Sequence, residues 1–510
     1  MDEGTAAVFD YIVVGAGSAG CVVAARLSED PDVRVLLLEA GGSDDHASVA
    51  DPSQWPALFY GERDWCYSTT PQRHADGRSV HCPRGKMLGG CHSHNASCWV
   101  RGHPTDYDRW AARGNPGWEW DSVLPIFKRI EDWQGPASDL RGVGGPMYVK
   151  PPTDPEAGPI AAAFVEAGRQ VGLPVLDDIN GPSREGVGYF NFTVKDGKRF
   201  TVVDAYLQPA MERPNLSVRI RAETLRLTFE GTRCTGVEYA HDGQVRSARA
   251  ERETILCGGA IGSPRTLLLS GVGPAGELET LGISVIADLP GVGHNLQDHP
   301  LIGGVCYETR GPLPPIRYNG AGSTLWWKTD AALPSPDIQP VVIEFPFATP
   351  ELADRLTENS YALAPSVVRP ESRGRVTLTS ADPGTPPAID MNYLAEEADV
   401  KALLFGIDLC REMGASDAFR ELRQRELMPG PLDRQAMTDF VRQSVTTYFH
   451  PTSTCAMGTD EMAVVDPTLR VYGCEGLRVA DASIMPEVTS GNTNAPSVMI
   501  GEKAAEMIRA

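Results

Sequence analysis

The sequence lacks an excess of positive charge, a long apolar run and a secretory leader. Its 510 residues carry 67 Asp and Glu against 46 Lys and Arg, and the resulting net charge of −21 repels phosphate backbones and anionic lipids. No apolar run approaches the roughly 18 residues of a membrane span, and the acidic start MDEGTAAVFD has no basic or apolar region typical of a signal peptide. We therefore expect no nucleic-acid or membrane binding, and a cytoplasmic location.

A disulfide framework is also missing. The 11 cysteines are an odd number without regular spacing, which indicates reduced thiols, and we expect no metal site. Hydrophobic residues make up 42% of the chain and charged residues 22%, which excludes the disordered and fibrous classes. At roughly 150 residues per domain, the length predicts two to four domains.

The chain opens with the pattern of a βαβ unit. Residues 10–17 (DYIVVGAG) predict a strand that ends in glycines, and SAGCVVAARLSED predicts a helix that ends before Pro31. The continuous apolar run from Val33 to Glu39 is typical of a parallel strand buried on both faces.

The rest of the chain predicts a nucleotide domain built from separated segments, with a strand-rich domain inserted between them. Residues 45–150 lack periodicity and predict a long loop region of functional use. The later segments predict, in order, an amphipathic helix (156–172), a β-meander (215–260), strands and turns (300–395), helices (396–447) and a final strand, loop and helix (477–510).

The glycine turn of the first unit carries a dinucleotide-binding motif. Residues 15–20 (GAGSAG) are G-x-G-x-x-G, in which Gly15 allows the tight turn, Gly17 the approach of a pyrophosphate, and Gly20 close packing of helix and strand. Phosphates at this turn meet the helix N-terminus, which begins at Ser18. Glu39, followed by Ala40, stands at the end of the second strand, where its carboxylate can accept hydrogen bonds from ribose hydroxyls. The motif alone does not separate FAD from NAD.

Further glycine-rich segments identify a family. Residues 85–95 (GKMLGGCHSHN) and 259–273 (GAIGSPRTLLLSGVG), together with 291–300 (GVGHNLQDHP), 477–486 and 492–502, resemble the glucose–methanol–choline (GMC) family of FAD-dependent oxidoreductases. The likeness covers nearly the whole chain in the family's order. It departs from the family's first signature at Cys91, His92 and His94, where Cys91 and His92 replace small hydroxyl or glycine residues.

The resemblance implies an α/β fold, α+β overall, with two domains. A Rossmann-like FAD-binding domain would combine residues 1–155, 212–300 and 451–510. A substrate-binding domain of residues 156–211 and 301–450 would place an antiparallel sheet with flanking helices over the flavin. We expect a monomer or a homodimer.

The resemblance also implies the cofactor contacts beyond the first motif. Gly90, Cys91 and Asn95 would lie by the isoalloxazine ring and the pyrophosphate, Val218 near the adenine, and Asp481, Ala482 and Asn492 along the remainder of FAD. His94 occupies the position at which a choline-oxidase-like branch carries a histidine bonded to the flavin 8α carbon. A covalent flavin through His94 is therefore expected, and a histidine packed beside the ring without a bond is the alternative.

The catalytic pair is also assigned through the resemblance. His450, in the segment YFHP, matches the family's catalytic histidine, and Asn494, in GNTNAP, is expected as its partner, with Asn492 as the competitor. A histidine can accept the hydroxyl proton of an alcohol near neutral pH. An asparagine can donate a hydrogen bond to the developing alkoxide without competing for that proton.

The substrate is expected to be an apolar or aromatic primary alcohol, which is oxidised to an aldehyde while O2 is reduced to H2O2. Choline oxidases carry a glutamate after Asp-His-Pro, where this chain has Leu301, and a second pocket histidine where it has Val341. Glu344 is an acidic residue that could meet a cation, although a solvated or paired carboxylate is the simpler interpretation. The candidate pocket residues are Leu301, Trp326, Trp327, Phe345, Phe347, Tyr448 and Phe449, and ordinary core packing is the alternative for the aromatic ones.

Three other functions fit the same fold. They are an FAD-dependent dehydrogenase that passes electrons to a quinone or another acceptor, a GMC-fold lyase or photodecarboxylase, and a flavin-binding module without catalysis. The pairing of a histidine with an asparagine argues against the lyase, and nothing in the sequence argues against the dehydrogenase.

Overall fold

The computed structural model describes residues 7–152 and 157–510. Its α-helices in these residues are α1 (Ser18–Leu27), α2 (Ala47–Ala50), α3 (Pro104–Ala112), α4 (Trp120–Ile130), α5 (Pro159–Gln170), α6 (Gln208–Ala210), α7 (Gly259–Leu269), α8 (Ala275–Thr280), α9 (Glu397–Ala415), α10 (Arg434–Ser444) and α11 (Asn494–Arg509). Short 3₁₀ helices lie at Pro52–Leu58, Gly90–His92, Pro350–Arg355, Asp417–Phe419 and Ala482–Ile484, and a π-helical turn lies at Val203–Leu207.

The strands of the described residues form two large sheets and several two-stranded ones. They are β1 (Ala7–Val14), β2 (Val35–Leu38), β3 (Tyr67–Ser68), β4 (His81–Cys82), β5 (Glu131–Trp133), β6 (Met147–Val149), β7 (Gly186–Tyr189), β8 (Val194–Lys195), β9 (Lys198–Arg199), β10 (Leu216–Arg219), β11 (Ala222–Glu230), β12 (Arg233–His241), β13 (Gln244–Leu256), β14 (Val272–Gly273), β15 (Ala287–Asp288), β16 (Pro300–Ile302), β17 (Cys306–Thr309), β18 (Ser323–Trp326), β19 (Val341–Ile343), β20 (Ser360–Ala364), β21 (Arg375–Thr377), β22 (Ala388–Asp390), β23 (Arg423–Met428), β24 (Val445–Thr447) and β25 (Leu477–Val479).

A seven-stranded sheet carries the nucleotide motif. Its order is β10-β2-β1-β13-β12-β11, and β25 also pairs with β13. Strands β10, β2, β1, β13 and β25 are parallel, whereas β11, β12 and β13 form the predicted antiparallel meander. The four residues of β2, VLLL, are all buried, because helices and loops cover both faces of the parallel part. The predicted βαβ unit is confirmed.

The second large sheet is antiparallel and has six strands in the order β23-β17-β20-β19-β18-β7. The strands β18, β19 and β20 are buried along their whole length, because α5 and α9 pack near this sheet. Each large sheet has a hydrophobic core of its own. An α/β fold that combines a nucleotide-binding sheet with a second, antiparallel sheet is what the sequence predicted, and it is confirmed.

Each large sheet takes its strands from separated segments of the chain. The parallel sheet takes its strands from residues 7–38, 216–256 and 477–479, and the antiparallel sheet from residues 186–189 and 306–428. The exact domain boundaries stay a prediction, and the one between residues 155 and 156 lies outside the described residues.

Two of the secondary-structure predictions need correction. Residues 45–150 were predicted as loop but include α3 and α4, and α3 begins with a capping box between His103 and Asp106. Residues 396–447 are not helical throughout, because β23 separates α9 from α10 and pairs with β17 at the edge of the antiparallel sheet. The strand β23 was missed because its conformation depends on pairing with β17, and the periodicity of a short segment carries no information about such pairing.

None of the helices in residues 7–152 and 157–510 has both the length and the apolar character needed to cross a bilayer.

Candidate active site

A cavity of about 280 Å³ lies between the two sheets. Most of the residues singled out in the sequence line it: Gly15, Gly17, Ser18, Glu39, Ala40, Gly90, Cys91, His94, Asn95, Leu301, Phe347, Tyr448, Phe449, His450, Asp481, Ala482, Asn492 and Asn494. Segments more than 400 residues apart in sequence thus meet around one space.

The nucleotide end of the cavity is formed by the N-termini of three helices. The helix α1 begins at Ser18, α7 at Gly259 and α11 at Asn494, and all three residues line the cavity. The Ser18 hydroxyl donates a hydrogen bond to Asn494 Oδ1 over 2.8 Å. The first N–H groups of a helix have no partner within it, and its N-terminal end carries positive partial charge. Three such ends around one space suit a pyrophosphate.

Glycines let the backbone segments approach one another here. Gly15 has φ +98°, and a Cβ atom at this residue would lie 2.6 Å from the carbonyl oxygen of Cys257. A Cβ atom at Gly20 would lie 1.9 Å from the carbonyl oxygen of Gly15, so Gly20 serves helix packing and does not line the cavity. A Cβ atom at Gly90, where φ is +51°, would lie 2.9 Å from the Cα atom of Gly17.

Glu39 is buried at the end of β2 and lines the cavity. Its Oε2 accepts a hydrogen bond from the Ala16 N–H over 2.9 Å, and its Oε1 accepts one from the Gly41 N–H over 2.8 Å. Each carboxylate oxygen can accept a second bond, which leaves room for a ribose hydroxyl. Burial raises the pKa of this carboxyl to about 7, and a hydrogen-bonding ligand on the carboxylate would oppose that shift.

Asp481 holds the backbone near the start of α7. Its Oδ2 accepts hydrogen bonds from the Gly259 N–H over 2.8 Å and from the Ser263 hydroxyl over 2.6 Å. Asp481 and Ala482 line the cavity as expected, but Val218 does not. Val218 pairs with Leu37 within the parallel sheet. Ala222, Glu223 and Thr224, a few residues later in the chain, line the cavity.

The 85–95 segment turns back along the cavity and carries His94. This imidazole is stacked on Phe59, with ring centroids 5.3 Å apart, and its Nε2 lies 3.4 Å from the carbonyl oxygen of Leu58. Burial lowers the pKa of His94 to about 4, so the ring is neutral at pH 7. Asn95 Oδ1 accepts a hydrogen bond from the Ser97 N–H over 2.8 Å.

His450 lies between two other side chains at the opposite end of the cavity. Its Nε2 is 3.2 Å from Asn492 Nδ2, and its Nδ1 is 3.0 Å from His299 Nδ1. Burial lowers the pKa of His450 well below its ordinary value of 6.5, and the neighbouring His299 and Arg84 lower it further. The imidazole is therefore neutral at pH 7, the form in which it can accept a proton.

The expected partner of His450 needs correction. Asn494 was expected to contact this histidine, but its side chain accepts the hydrogen bond from Ser18 at the nucleotide end. Asn492, two residues earlier, is the side chain on His450. In the sequence, the N-x-N spacing allowed either asparagine to be the partner of His450. Only the position of the loop against His450 in the folded protein distinguishes the two.

The candidate pocket residues divide into two groups. Leu301, Phe347, Tyr448 and Phe449 line the cavity, whereas Trp326, Trp327 and Phe345 do not. Phe345 lies behind Trp55, with ring centroids 5.9 Å apart, and Trp326 packs against Phe190.

Glu344 does not line the cavity either. It is buried, its Oε1 accepts a hydrogen bond from the Gly322 N–H over 3.3 Å, and burial raises its pKa to about 7.

Several functional candidates were missed in the sequence. The Trp55 and Phe59 rings line the cavity from a segment that was taken as loop, and Arg84 lines it from the residue before the first glycine of the 85–95 segment. The Arg84 Nη2 donates a hydrogen bond to the carbonyl oxygen of Phe449 over 2.6 Å. Burial disfavours the charge of this guanidinium, but the neighbouring Cys91, Cys82, Asp298 and Asp64 outweigh burial and raise its pKa above the ordinary value. The three aromatic residues within the segment 55–60 (WPALFY) were the available signal for the first two.

Comparison with known proteins identifies the family. A family model described as GMC oxidoreductase matches residues 9–301, and a second one, for the C-terminal part of the same family, matches residues 370–501. The chain is a GMC oxidoreductase.

Curated relatives cover almost the whole length of this GMC oxidoreductase. The mitochondrial choline dehydrogenase of Homo sapiens is 41% identical over 98% of this chain and 90% of its own length. The oxygen-dependent choline dehydrogenase of Chromohalobacter salexigens is 41% identical over 98% of this chain and 95% of its own.

Among solved structures, pyridoxine 4-oxidase from Mesorbium loti superposes with a TM-score of 0.94 at 36% identity, and 98% of each chain is covered. Formate oxidase of Aspergillus oryzae superposes with a TM-score of 0.90 at 29% identity over 99% of each chain. This GMC oxidoreductase thus shares its family with enzymes that act on CH–OH donors, and its cofactor is FAD. The glycine cradle and the three helix N-termini fit the pyrophosphate of that cofactor.

The approach of Gly90 to Gly17 predicts a flavin-binding defect. The Gly90→Ala protein should purify with several-fold less flavin, because the added Cβ atom forces apart the two segments that hold the pyrophosphate. The ratio of absorbance at about 450 nm to that at 280 nm measures this. The control is Gly77→Ala, since Gly77 has φ +70° but no heavy atom within 4 Å of a Cβ position. Equal flavin content in the two variants would contradict the assignment.

Proposed function

We propose that the protein oxidises a primary alcohol to an aldehyde, with His450 as the base and Asn492 as its partner. The observation that carries the proposal is the position of His450, which lies on the wall of the cavity with Asn492 Nδ2 beside its Nε2. A neutral imidazole there takes the hydroxyl proton as the alkoxide develops. The second N–H of the Asn492 amide can donate a hydrogen bond to the alkoxide oxygen. FAD, when bound, accepts the hydride.

The walls near His450 support a neutral, aromatic substrate. They are formed by the rings and apolar side chains of Trp55, Phe59, Phe190, Leu301, Val341, Ile343, Phe347, Tyr448 and Phe449. The carboxylates that line the cavity, Glu39, Glu223 and Asp481, belong to its nucleotide end. Near His450 the charged side chain on the wall is Arg84, whose guanidinium disfavours a cation.

Aromatic rings alone also attract quaternary ammonium groups, and curated relatives of this chain are choline dehydrogenases. We nevertheless place choline second, because Leu301 and Val341 supply no charge and Arg84 supplies one of the wrong sign. Pyridoxine, the substrate in the name of the superposed oxidase, is an aromatic compound with hydroxymethyl groups and belongs to the class that these walls favour.

We propose O2 as the electron acceptor, supported by the oxidase function in the names of both superposed structures. An acceptor such as a quinone is the alternative. Product analysis decides between them: an oxidase forms one H2O2 per aldehyde in air, whereas a dehydrogenase turns over only when an artificial acceptor is added.

The catalytic pair predicts a graded loss of activity. We expect His450→Ala to lower the rate of anaerobic flavin reduction by an alcohol by about 10²–10⁴-fold, and Asn492→Ala by about 10²-fold, with flavin retained in both. Asn494→Ala is the matched control, because it makes the same change two residues away, and its loss should be in flavin content rather than in the reduction rate. A His450→Ala protein that reduces its flavin at nearly the normal rate would refute the proposal.

The same pair predicts a pH dependence. His450 acts as the neutral base, so kcat/KM is full above its pKa and falls as the imidazole becomes protonated. Because that pKa lies well below 6.5, the profile should be flat through pH 7 and decline only in the acid range.

The apolar wall predicts the substrate order. In an anaerobic screen of benzylic, furanic, aliphatic and quaternary-ammonium alcohols, we expect benzylic and furanic alcohols to reduce the flavin fastest. Leu301→Glu should raise kcat/KM for choline relative to benzyl alcohol by at least about tenfold, equivalent to about 1.4 kcal/mol. Leu301→Gln is the control of similar size without the charge. Choline as the best substrate of the unaltered protein would overturn the substrate class.

We further propose that His94 is bonded covalently to the flavin. Its neutral ring lines the cavity, and its Nε2 is directed at the carbonyl oxygen of Leu58. A carbonyl oxygen favours the tautomer with the proton on Nε2, which leaves the Nδ1 lone pair as the nucleophile. The new N–C bond would replace a C–H bond of the 8α methyl group, whose proton would be released and whose two electrons would pass through the flavin to O2. A covalent bond raises the reduction potential of a flavin and prevents its loss.

Acid denaturation tests this bond. The precipitated protein should keep its yellow colour, and the His94→Ala protein should release all its flavin into the supernatant. Colour in the supernatant of the unaltered protein would show a histidine that is packed beside the ring without a bond.

A further inference from the structure

His450 is the third of four side chains that hydrogen bonds join in a row, and two of the four, His450 and Asn492, line the cavity. Gln339 Nε2 lies 3.3 Å from Asn492 Oδ1, Asn492 Nδ2 lies 3.2 Å from His450 Nε2, and His450 Nδ1 lies 3.0 Å from His299 Nδ1. All three contacts are buried or partly buried. The function proposed above uses His450 and Asn492 and leaves the two outer residues, Gln339 and His299, without a role.

The row has two possible directions, because a hydrogen bond needs one donor and one acceptor. In the first direction Gln339 donates to Asn492, Asn492 donates to His450 Nε2, and the Nδ1–H of His450 donates to His299. In the second direction every donor and acceptor is exchanged. Only the first leaves Nε2 of His450, the nitrogen on the side of Asn492 and the cavity, without a proton, so that this nitrogen can exchange the hydrogen bond from Asn492 for the proton of a substrate.

The Gln339 end of the row favours the first direction. The Thr324 hydroxyl donates its one hydrogen to the carbonyl oxygen of Pro340 over 3.0 Å, so Thr324 Oγ1 can only accept from Gln339, which lies 3.3 Å away. The same amide nitrogen of Gln339 that donates to Thr324 also faces Asn492 Oδ1. An NH₂ group has two hydrogens and satisfies both acceptors.

The His299 end favours the same direction. His299 is fully buried, and burial lowers its pKa to about 3, so the ring carries a single proton. Because its Nδ1 contacts His450, Nε2 is the other ring nitrogen; it is buried without a hydrogen-bond partner among the described residues, and the nearby backbone of Thr489 and Val368 acts on the ring in the sense that favours a proton. With its proton on Nε2, His299 presents a bare Nδ1 to His450.

We propose that His299 and Gln339 are positioning residues that hold His450 in the tautomer protonated on Nδ1, so that Nε2 is the nitrogen that accepts the substrate proton. The proposal rests on the proposed function of His450. It goes beyond that function by assigning the choice of tautomer to two side chains that do not line the cavity.

The proton step then balances within the row. The O–H bond of the alcohol breaks and an N–H bond forms at His450 Nε2, where it replaces the hydrogen bond from Asn492, whose amide N–H then donates to the alkoxide oxygen. FAD, when bound, would take the hydride with its electron pair from the carbinol carbon. The Nδ1–H of the new imidazolium remains donated to His299, which keeps its own proton. Other groups that act on His450 are the Asp298 carboxylate, which accepts its backbone N–H over 2.7 Å, and the Arg84 guanidinium.

Two substitutions at one position test His299. His299→Phe keeps a ring and removes the acceptor, and we expect the high-pH plateau of kcat/KM for benzyl alcohol to fall about 10²-fold while KM changes little. His299→Asn supplies an amide oxygen near the position of Nδ1 and should recover most of that loss. Flavin content and melting temperature are measured on both, because a purely structural role would lower these instead.

Nitrogen-15 NMR of the histidine-labelled holoenzyme tests the tautomer without any turnover. The signals of His450 are assigned by their loss in His450→Ala, and we expect a protonated Nδ1 and an unprotonated Nε2 at pH 7. The opposite tautomer overturns the proposal, even if His299→Phe does not fold. Equal losses in His299→Phe and His299→Asn with flavin retained overturn it too. Activity retained in His450→Ala would instead refute the proposed function.

Discussion

The rest of the site depends on one constraint: the His450 imidazole is buried and neutral, and it is held between Asn492 and His299. A buried imidazolium is disfavoured by desolvation, so the His450 ring is neutral, and in the proposed function it becomes charged only when the substrate supplies a proton. The flanking contacts of 3.2 Å to Asn492 and 3.0 Å to His299 restrain the ring on both sides. An asparagine suits one of these positions in the proposed function, because its amide would not compete with the histidine for the substrate proton.

Sequence patterns predicted the parts of this molecule that short segments determine. The turn of Gly15 to Gly20 and the buried strand β2 are local features, and they lie where the sequence placed them. The sequence could not show which of Asn492 and Asn494 is the partner of His450. Both asparagines stand in the same short motif, and they differ only in the side chains that contact them in the folded protein. Asn492 contacts His450, whereas Asn494 contacts Ser18 at the start of α1. Likewise, Trp326 and Phe345 were chosen as aromatic, but whether a ring lines a cavity or lies behind another ring depends on sheet register.

Family membership and pocket chemistry answer different questions about this enzyme. Identity of 41% to choline dehydrogenases establishes the fold, the FAD and the class of reaction, since these depend on the glycine turns and on the histidine. The substrate depends on a few side chains near that histidine, which vary within a fold. Here they are rings, aliphatic groups and the Arg84 guanidinium, and this set is the reason for proposing an aromatic alcohol rather than a cation.

The direction of the His450 side chain has a backbone origin. Phe449, the residue before it, has φ +68°, a conformation that costs a bulky residue free energy and persists only when its surroundings enforce it. Three hydrogen bonds do so: Arg84 donates to the Phe449 carbonyl, the Phe449 N–H is bound by Thr447 Oγ1 over 2.7 Å, and the His450 N–H by Asp298 over 2.7 Å. Asp298 is also the neighbour of His299 in the chain. A single buried carboxylate therefore anchors the backbone at both histidines, which explains how two segments 150 residues apart hold their rings at hydrogen-bonding distance.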